Sequence, residues 1–93
     1  MTEDARETVL RVSASSNASA TAAAVAHAVY EGKKTSLRAI GAGAVNQAIK
    51  ALAIAQSFVG SRGYSLSFRP GFVTVPMPEQ DVTAIVLHVL VDS

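Results

Sequence analysis

The chain of 93 residues contains no cysteine. Disulfide bonds, thiolate metal sites and cysteine nucleophiles are therefore excluded, and nothing in the sequence argues for an oxidising compartment. Aromatic residues are scarce, at 5%, and tryptophan is absent, whereas 49% of the residues are apolar. Because alanine supplies much of that apolar fraction, we expect helices and strands that approach closely, in a two-layer fold without large rings at its centre.

A long uninterrupted apolar run is also missing. The N-terminus, MTEDARETV, is acidic and polar, and the most apolar later stretch is interrupted by Asn46, Gln47 and Lys50. We therefore expect a cytoplasmic protein with no membrane partner. A single domain of this size buries only about 60 to 65% of the surface that its unfolded chain exposes, so self-association would add useful burial.

The sequence also has no large excess of positive or negative charge, since the formal net charge is +1. Residues 1–7 carry three acidic side chains against Arg6, which leaves a balance of seven basic and four acidic side chains in the rest of the chain. Proteins that grip nucleic acid commonly contact about six or more phosphates. The charge therefore permits nucleic-acid binding without demanding it.

Hydrophobic periodicity predicts four strands and two helices in the order βαβαββ. Residues 1–7 are expected to form a flexible tail and residues 8–92 a single domain. The expected elements are strand 8–13, a helix that begins after the N-cap Asn17 and ends near Gly32, strand 35–40, helix 43–59, strand 64–69 broken or bulged at Pro70-Gly71 and resuming at 72–75, and strand 82–91. The fold class is an α/β (α+β) two-layer sandwich, with both helices on one face of a four-stranded mixed sheet.

The second helix carries two apolar surfaces. Its main stripe comprises Val45, Ala48, Ile49, Leu52, Ala55 and Val59. Ile54 and Phe58 fall outside that stripe and predict contact with another subunit in a homodimer or higher homo-oligomer. Burial of this second edge by the chain's own tail is the other interpretation.

The usual residues of an active site are missing. His27 and His88 lie far apart, with no carboxylate at a spacing that would orient either of them. Acidic residues cluster only in the tail and at 79–81, so no metal set stands out. The serines before the first helix have no evident base and are typical of turns and caps. We expect neither catalysis nor a cofactor.

A Gly-Ala-Gly turn joins the second strand to the second helix in the segment IGAGAVNQAIK. Gly41 and Gly43 can adopt backbone angles that other residues avoid, and they leave the first N–H groups of the helix accessible to an anion. Asn46, Gln47 and Lys50 would add donors. The sixth position of a GxGxxG pattern is Asn46, which argues against dinucleotide binding. A turn that serves only packing is the alternative interpretation.

The same IGAGA segment, with the Asn46-Gln47 pair, Lys50 and the alanine-rich run behind them, resembles the signature of the stage V sporulation protein S family over about residues 9–91. That family is related in fold to the Alba nucleic-acid-binding proteins. The resemblance implies an Alba-like βαβαββ fold, DNA or RNA as partner, and a non-enzymatic regulatory role in sporulation or cell division. A homo-oligomeric protein-interaction module without a nucleic-acid role is the alternative.

Resemblance to Alba-type proteins implies nucleic-acid contacts from the loop after the first strand, the turn before the second helix, and the hairpin between the last two strands. Alba-type proteins tend to carry Lys or Arg there, whereas this chain has SASSN, glycine with alanine, and the acidic PMPEQD. Phosphate contacts would then come from backbone amides, hydroxyls and scattered cations. The candidate residues are Arg11, Ser13, Ser15, Ser16, Arg38, Gly41, Gly43, Asn46, Gln47 and Lys50, with Lys33 and Lys34 as further cations.

Overall fold

The computed structural model describes residues 6–93 and confirms the order βαβαββ. The strands are β1 (Glu7–Val12), β2 (Lys34–Ala39), β3 (Ser65–Val75) and β4 (Val82–Asp92). The helices are α1 (Ala18–Tyr30) and α2 (Ala42–Gly60). β1 begins at Glu7, one residue before the expected start of the domain. Of the expected tail, residues 1–5 lie outside the described residues.

The four strands form one mixed sheet in the order β1-β2-β4-β3. β1 and β2 are parallel, and β4 pairs antiparallel with both β2 and β3. Leu10 lies opposite Leu37, and Leu37 opposite Leu87, so one face of the sheet carries a continuous apolar row. Buried residues of both helices join this row in a single core, which places α1 and α2 together on that face. On the opposite face, no helix of residues 6–93 covers the sheet.

Local chemistry sets the ends of α1. The side chain of Asn17 accepts a hydrogen bond from the N–H of Ala20 at 2.9 Å, which confirms the expected N-cap. Gly32, just beyond the C-cap, has a φ of 71°, and its N–H donates to the carbonyl of Val29. Between these ends, Ala22 and Val25 are completely buried against the sheet and α2.

The buried stripe of α2 consists mainly of small residues and matches the predicted stripe only in part. Its buried residues are Ala44, Ala48, Ala51, Leu52, Ala55 and Val59. The prediction that Ile49 belongs to the buried stripe is wrong, since 43% of this residue is exposed at the edge nearest β3. Three of the four alanines in the stripe have no exposed surface, so α2 lies close to its neighbours. Neither helix in residues 6–93 combines the length and the apolar character needed to cross a membrane.

β3 runs from Ser65 to Val75 and pairs with β4 residue by residue, so the predicted break or bulge at Pro70-Gly71 is wrong. β3 is an edge strand, where a missing backbone donor is tolerated because it can point away from the sheet. Gly71 does not bend the strand, and its lack of a side chain leaves room for the ring of His88. A Cβ at Gly71 would lie 3.2 Å from Nε2 of His88 on the neighbouring strand.

Candidate nucleic-acid interface

Two loops meet where the parallel strands β1 and β2 end. Residues 13–17 leave β1 for α1, and residues 40–41 lead from β2 into α2. Nε2 of Gln47 donates a hydrogen bond of 2.8 Å to the carbonyl of Ser16, and a Cβ at Gly43 would lie 2.9 Å from Cβ of Ala14. Loops at the carboxyl ends of neighbouring parallel strands are a common location for ligand sites. We call these two loops the glycine-turn edge.

The two glycines of the turn have different roles. Gly41 has a φ of 92° and a ψ of 158°, a conformation open essentially to glycine alone. Gly43 does not have a positive φ, so the expectation that both glycines supply unusual angles is wrong. Ala14 occupies the space where a side chain at Gly43 would lie. The lack of a side chain at Gly43 therefore allows the serine loop to contact the first turn of α2.

The first turn of α2 has no side-chain cap. The N-cap residue is Gly41, and no side chain accepts a hydrogen bond at this end, in contrast to Asn17 at the start of α1. Residues 41–43 are all exposed. Free N–H groups and the positive end of the helix dipole favour an anion at such a position.

The serine loop is held by its own hydrogen bonds. The N–H of Ser13 donates to Oγ of Ser16 at 2.8 Å, and the N–H of Ser16 donates to the carbonyl of Ser13 at 3.1 Å. The hydroxyls of Ser13 and Ser15 lie 3.1 Å apart and both residues are exposed. The loop is therefore preorganised by its own hydrogen bonds and exposes hydroxyl groups to solvent.

The three polar side chains near the start of α2 differ in exposure and in hydrogen bonding. Asn46 and Lys50 are exposed and, being four residues apart, lie on the same side of the helix. Gln47 is half-buried and uses its amide nitrogen to hold the serine loop through Ser16. Two of the three predicted donors thus point to solvent beside the turn, and the third positions the neighbouring loop.

The predicted cations do not all gather at the glycine-turn edge. Arg11 and Arg38 lie directly opposite each other in the β1–β2 register, on the helix-free face, close to the strand ends. Lys34 is the first residue of β2, at the other end of that strand from the turn. Lys33 is also distant, and its Nζ lies 3.1 Å from Oε1 of Glu31.

The acidic hairpin lies at the same end of the sheet as the glycine turn. Ala39, at the end of β2, pairs with Ile85, so the start of β4 extends beyond the end of β2. Residues 76–81 therefore project past the turn, and all six are exposed. Glu79 and Asp81 lower the local positive potential at this end.

The comparisons with known proteins accord with this architecture. The family model described as Stage V sporulation protein S (SpoVS) matches residues 8–92. The chain belongs to the SpoVS family. It is thus a small sporulation-related protein. Its structure is similar to that of Alba from Thermoplasma volcanium, with a TM-score of 0.62, 11% sequence identity, and coverage of 92% of this chain and 100% of that chain. The likeness shows that this SpoVS-family chain has an Alba-like fold.

One of the two histidines of this SpoVS-family chain contacts a carboxylate. The expectation that no carboxylate is spaced to orient a histidine is wrong for His27, whose Nε2 lies 3.1 Å from Oε2 of Glu31, one helical turn later. The hydrogen bond from Lys33, with the charge of His27 beside it, lowers the pKa of the Glu31 carboxyl below its ordinary 4.5. The side chain of Glu31 is exposed to solvent, which screens these charges. Within residues 6–93, no three side chains of the types His, Cys, Asp and Glu gather as metal ligands.

The two predicted interface residues differ in burial. Ile54 is half-buried and packs against the protein's own core. Phe58 is 42% exposed, and its carbonyl accepts a hydrogen bond from the hydroxyl of Tyr30 at 3.2 Å. Sequence reasoning missed an apolar groove of about 470 Å³ on the other side of α2, between that helix and β3. Its lining includes Ile49, Leu52, Leu66 and Phe68.

Proposed function

We propose that this SpoVS-family protein is a non-catalytic regulatory protein that associates with DNA or RNA and acts in sporulation or cell-division control. The observation that carries the proposal is the glycine-turn edge, where a hydroxyl-bearing loop and an uncapped helix start adjoin each other. Backbone amides, hydroxyls and helix N-termini are common partners of nucleic-acid phosphates. The Alba-like fold is in keeping with this assignment.

The electrostatics of the edge favour a contact that depends on geometry more than on charge. Lys50 and Asn46 lie beside the turn on α2. Arg11 and Arg38 lie near the same ends of β1 and β2, on the helix-free face of the sheet. Glu79 and Asp81 in the projecting hairpin oppose them. We therefore expect few phosphate contacts and a shallow dependence of affinity on salt, with no reading of base sequence from this edge.

A salt titration of fluorescent DNA and RNA oligonucleotides tests the proposal. The double variant Asn46→Ala with Lys50→Glu should bind several-fold more weakly and lose roughly 0.7 to 0.9 from the slope of log K against log salt, because one phosphate contact disappears. Ser57→Ala with Lys33→Glu is the matched control, since both of its positions lie away from the edge. It should bind like the wild type.

Absence of wild-type binding at about 50 mM salt, or binding with no salt slope, would refute the proposal. Thermal unfolding must accompany the titration. If Asn46→Ala with Lys50→Glu unfolds the protein instead of weakening binding, the polar residues beside the turn serve packing, and the functional interpretation of the edge fails.

A second role, self-association, is favoured by a specific surface. Ile49 and Phe68 line the α2–β3 groove, and Phe72, farther along β3, is 76% exposed. We propose that a second copy of the chain covers this surface, which would supply the burial that a domain of this size lacks. Ile54 is already packed in its own core, so the groove replaces the edge at Ile54 and Phe58 as the proposed interface.

A further inference from the structure

The face of the sheet without helices carries a regular arrangement of side chains. One row across all four strands consists of Val9, Ser36, His88 and Arg69. The next row consists of Arg11, Arg38, Val86 and Gly71. Neighbouring strands are about 4.8 Å apart, so each row spans roughly 14 Å. Three arginines therefore lie within two adjacent rows.

This face is concave and has an apolar floor. The concavity has a volume of about 470 Å³. Val86 is buried at its floor and Val73 is half-buried beside it, although no helix covers them. Lys34, Arg38 and Arg69 all line the concavity. A floor of this kind, bordered by cations, suits a ligand with both an apolar surface and negative charge.

The cations of this concavity are not used within the protein. In residues 6–93, none of Lys34, Arg38 and Arg69 takes part in an ion pair, whereas Lys33 contacts Glu31 and Arg62 lies 4.6 Å above the ring of Tyr30. Glu7 is the one carboxylate among the described residues that line the concavity. Three unpaired cations against one carboxylate leave the surface complementary to an external polyanion.

We propose that this concave face binds single-stranded nucleic acid. The proposal rests on the proposed function for the class of partner and assigns it a second surface, separate from the glycine-turn edge. Lys34, Arg38 and Arg69 contact phosphates, and unstacked bases pack on the floor at Val73 and Val86.

The shape of the surface favours a single strand over a duplex. A duplex keeps its bases stacked and paired inside two backbones, so it cannot bring an apolar face to a recessed floor. A single strand exposes both its phosphates and its bases, and proteins bind it by joining a positive groove to packing surfaces for the bases. Duplex DNA should therefore gain little from the concavity.

Two matched double variants test the proposal. Lys34→Gln with Arg69→Gln removes two cations from the concavity, and Lys33→Gln with Arg62→Gln removes one lysine and one arginine elsewhere. The probes are fluorescent single-stranded dT and rU oligonucleotides of about 15 nucleotides and a duplex of equal length, titrated by anisotropy at several salt concentrations. A thermal melt of each variant confirms folding.

Loss of two single-strand phosphate contacts should reduce the salt slope by about 1.4 and weaken binding roughly 25-fold at 0.1 M salt. We expect this for the concavity variant on single strands, with duplex binding little changed and the control like wild type. Equal loss in both double variants would overturn the proposal, since only total charge would then matter.

Other outcomes separate this proposal from the proposed function. If single-strand affinity falls in Asn46→Ala with Lys50→Glu but not in Lys34→Gln with Arg69→Gln, the glycine-turn edge binds alone and the concavity proposal is wrong. If the wild type binds no nucleic acid, both are wrong. Binding of a poly-glutamate peptide that depends on Lys34 and Arg69, without nucleic-acid binding, would assign the concavity to an acidic protein.

Discussion

At the scale of single residues, the two glycines of the turn meet different structural requirements. Gly41 is required for its backbone angle and Gly43 for the space that Ala14 occupies. The sequence pattern predicted the turn and its glycines correctly. It did not distinguish the two roles, because an angle and a close approach both call for glycine, and only the position of Ala14 separates them.

Gly41→Ala should destabilise the protein by about 1 to 3 kcal/mol, because alanine would be held at a φ of 92°. Urea unfolding followed by circular dichroism measures the change. Ala42→Ser, at the next position, which is also exposed, should stay within about 0.5 kcal/mol of wild type. A neutral Gly41→Ala would show that the turn readily adopts another conformation.

At the scale of elements, one side chain of α2 forms two hydrogen bonds with the backbone at the start of the edge strand. Nε2 of Gln56 donates to the carbonyl of Tyr64 at 3.1 Å, and its Oε1 accepts from the N–H of Leu66 at 2.6 Å. Gln56 therefore satisfies two backbone groups at the start of β3. Nothing in the sequence indicated this role, because both partners are backbone atoms whose proximity depends on the tertiary fold.

Gln56→Ala should cost about 1 to 3 kcal/mol, since it leaves two partly buried backbone groups without their partner. Hydrogen exchange should show faster exchange at the amide of Leu66 than in the wild type. Ser57→Ala is the control, because its hydroxyl bonds only to the carbonyl of Ile54 within the same helix. Unchanged protection at Leu66 would contradict the role assigned to Gln56.

Element order and approximate bounds were predictable because periodicity and caps are local signals. Strand order was not, since nothing local places β4 between β2 and β3. The candidate site divides in the same way. The sequence predicted the glycine turn and serine loop, but their contact through Gln47 and the concave helix-free face both depend on how distant strands pair.

At the scale of the whole molecule, the exposed apolar surface lies mainly on one side of α2 and along β3. Ile49, Phe68 and Phe72 are on that side, while Phe58 lies near Tyr30 at the far end of the helices. A monomer with aromatic rings exposed in this way is prone to associate. Self-association through the groove would leave the helix-free face open.

Sedimentation velocity at tens of micromolar should therefore show a dimer for the wild type. Phe68→Ser with Phe72→Ser should shift it to the monomer, because the proposed contact loses its two rings. Phe58→Ser should remain dimeric and serves as the control. A wild-type protein that is strictly monomeric would refute the self-association proposal, and loss of the dimer in Phe58→Ser would return the interface to the edge first predicted.

Pro70 in the middle of β3 has a consequence for how copies can meet. A strand that borders a sheet is a template onto which another chain can polymerise through backbone pairing. Proline offers no N–H, so an incoming strand would find one bond missing halfway along this template. The protein thereby resists growth into fibres through β3 while keeping the side chains of that strand available for a closed assembly.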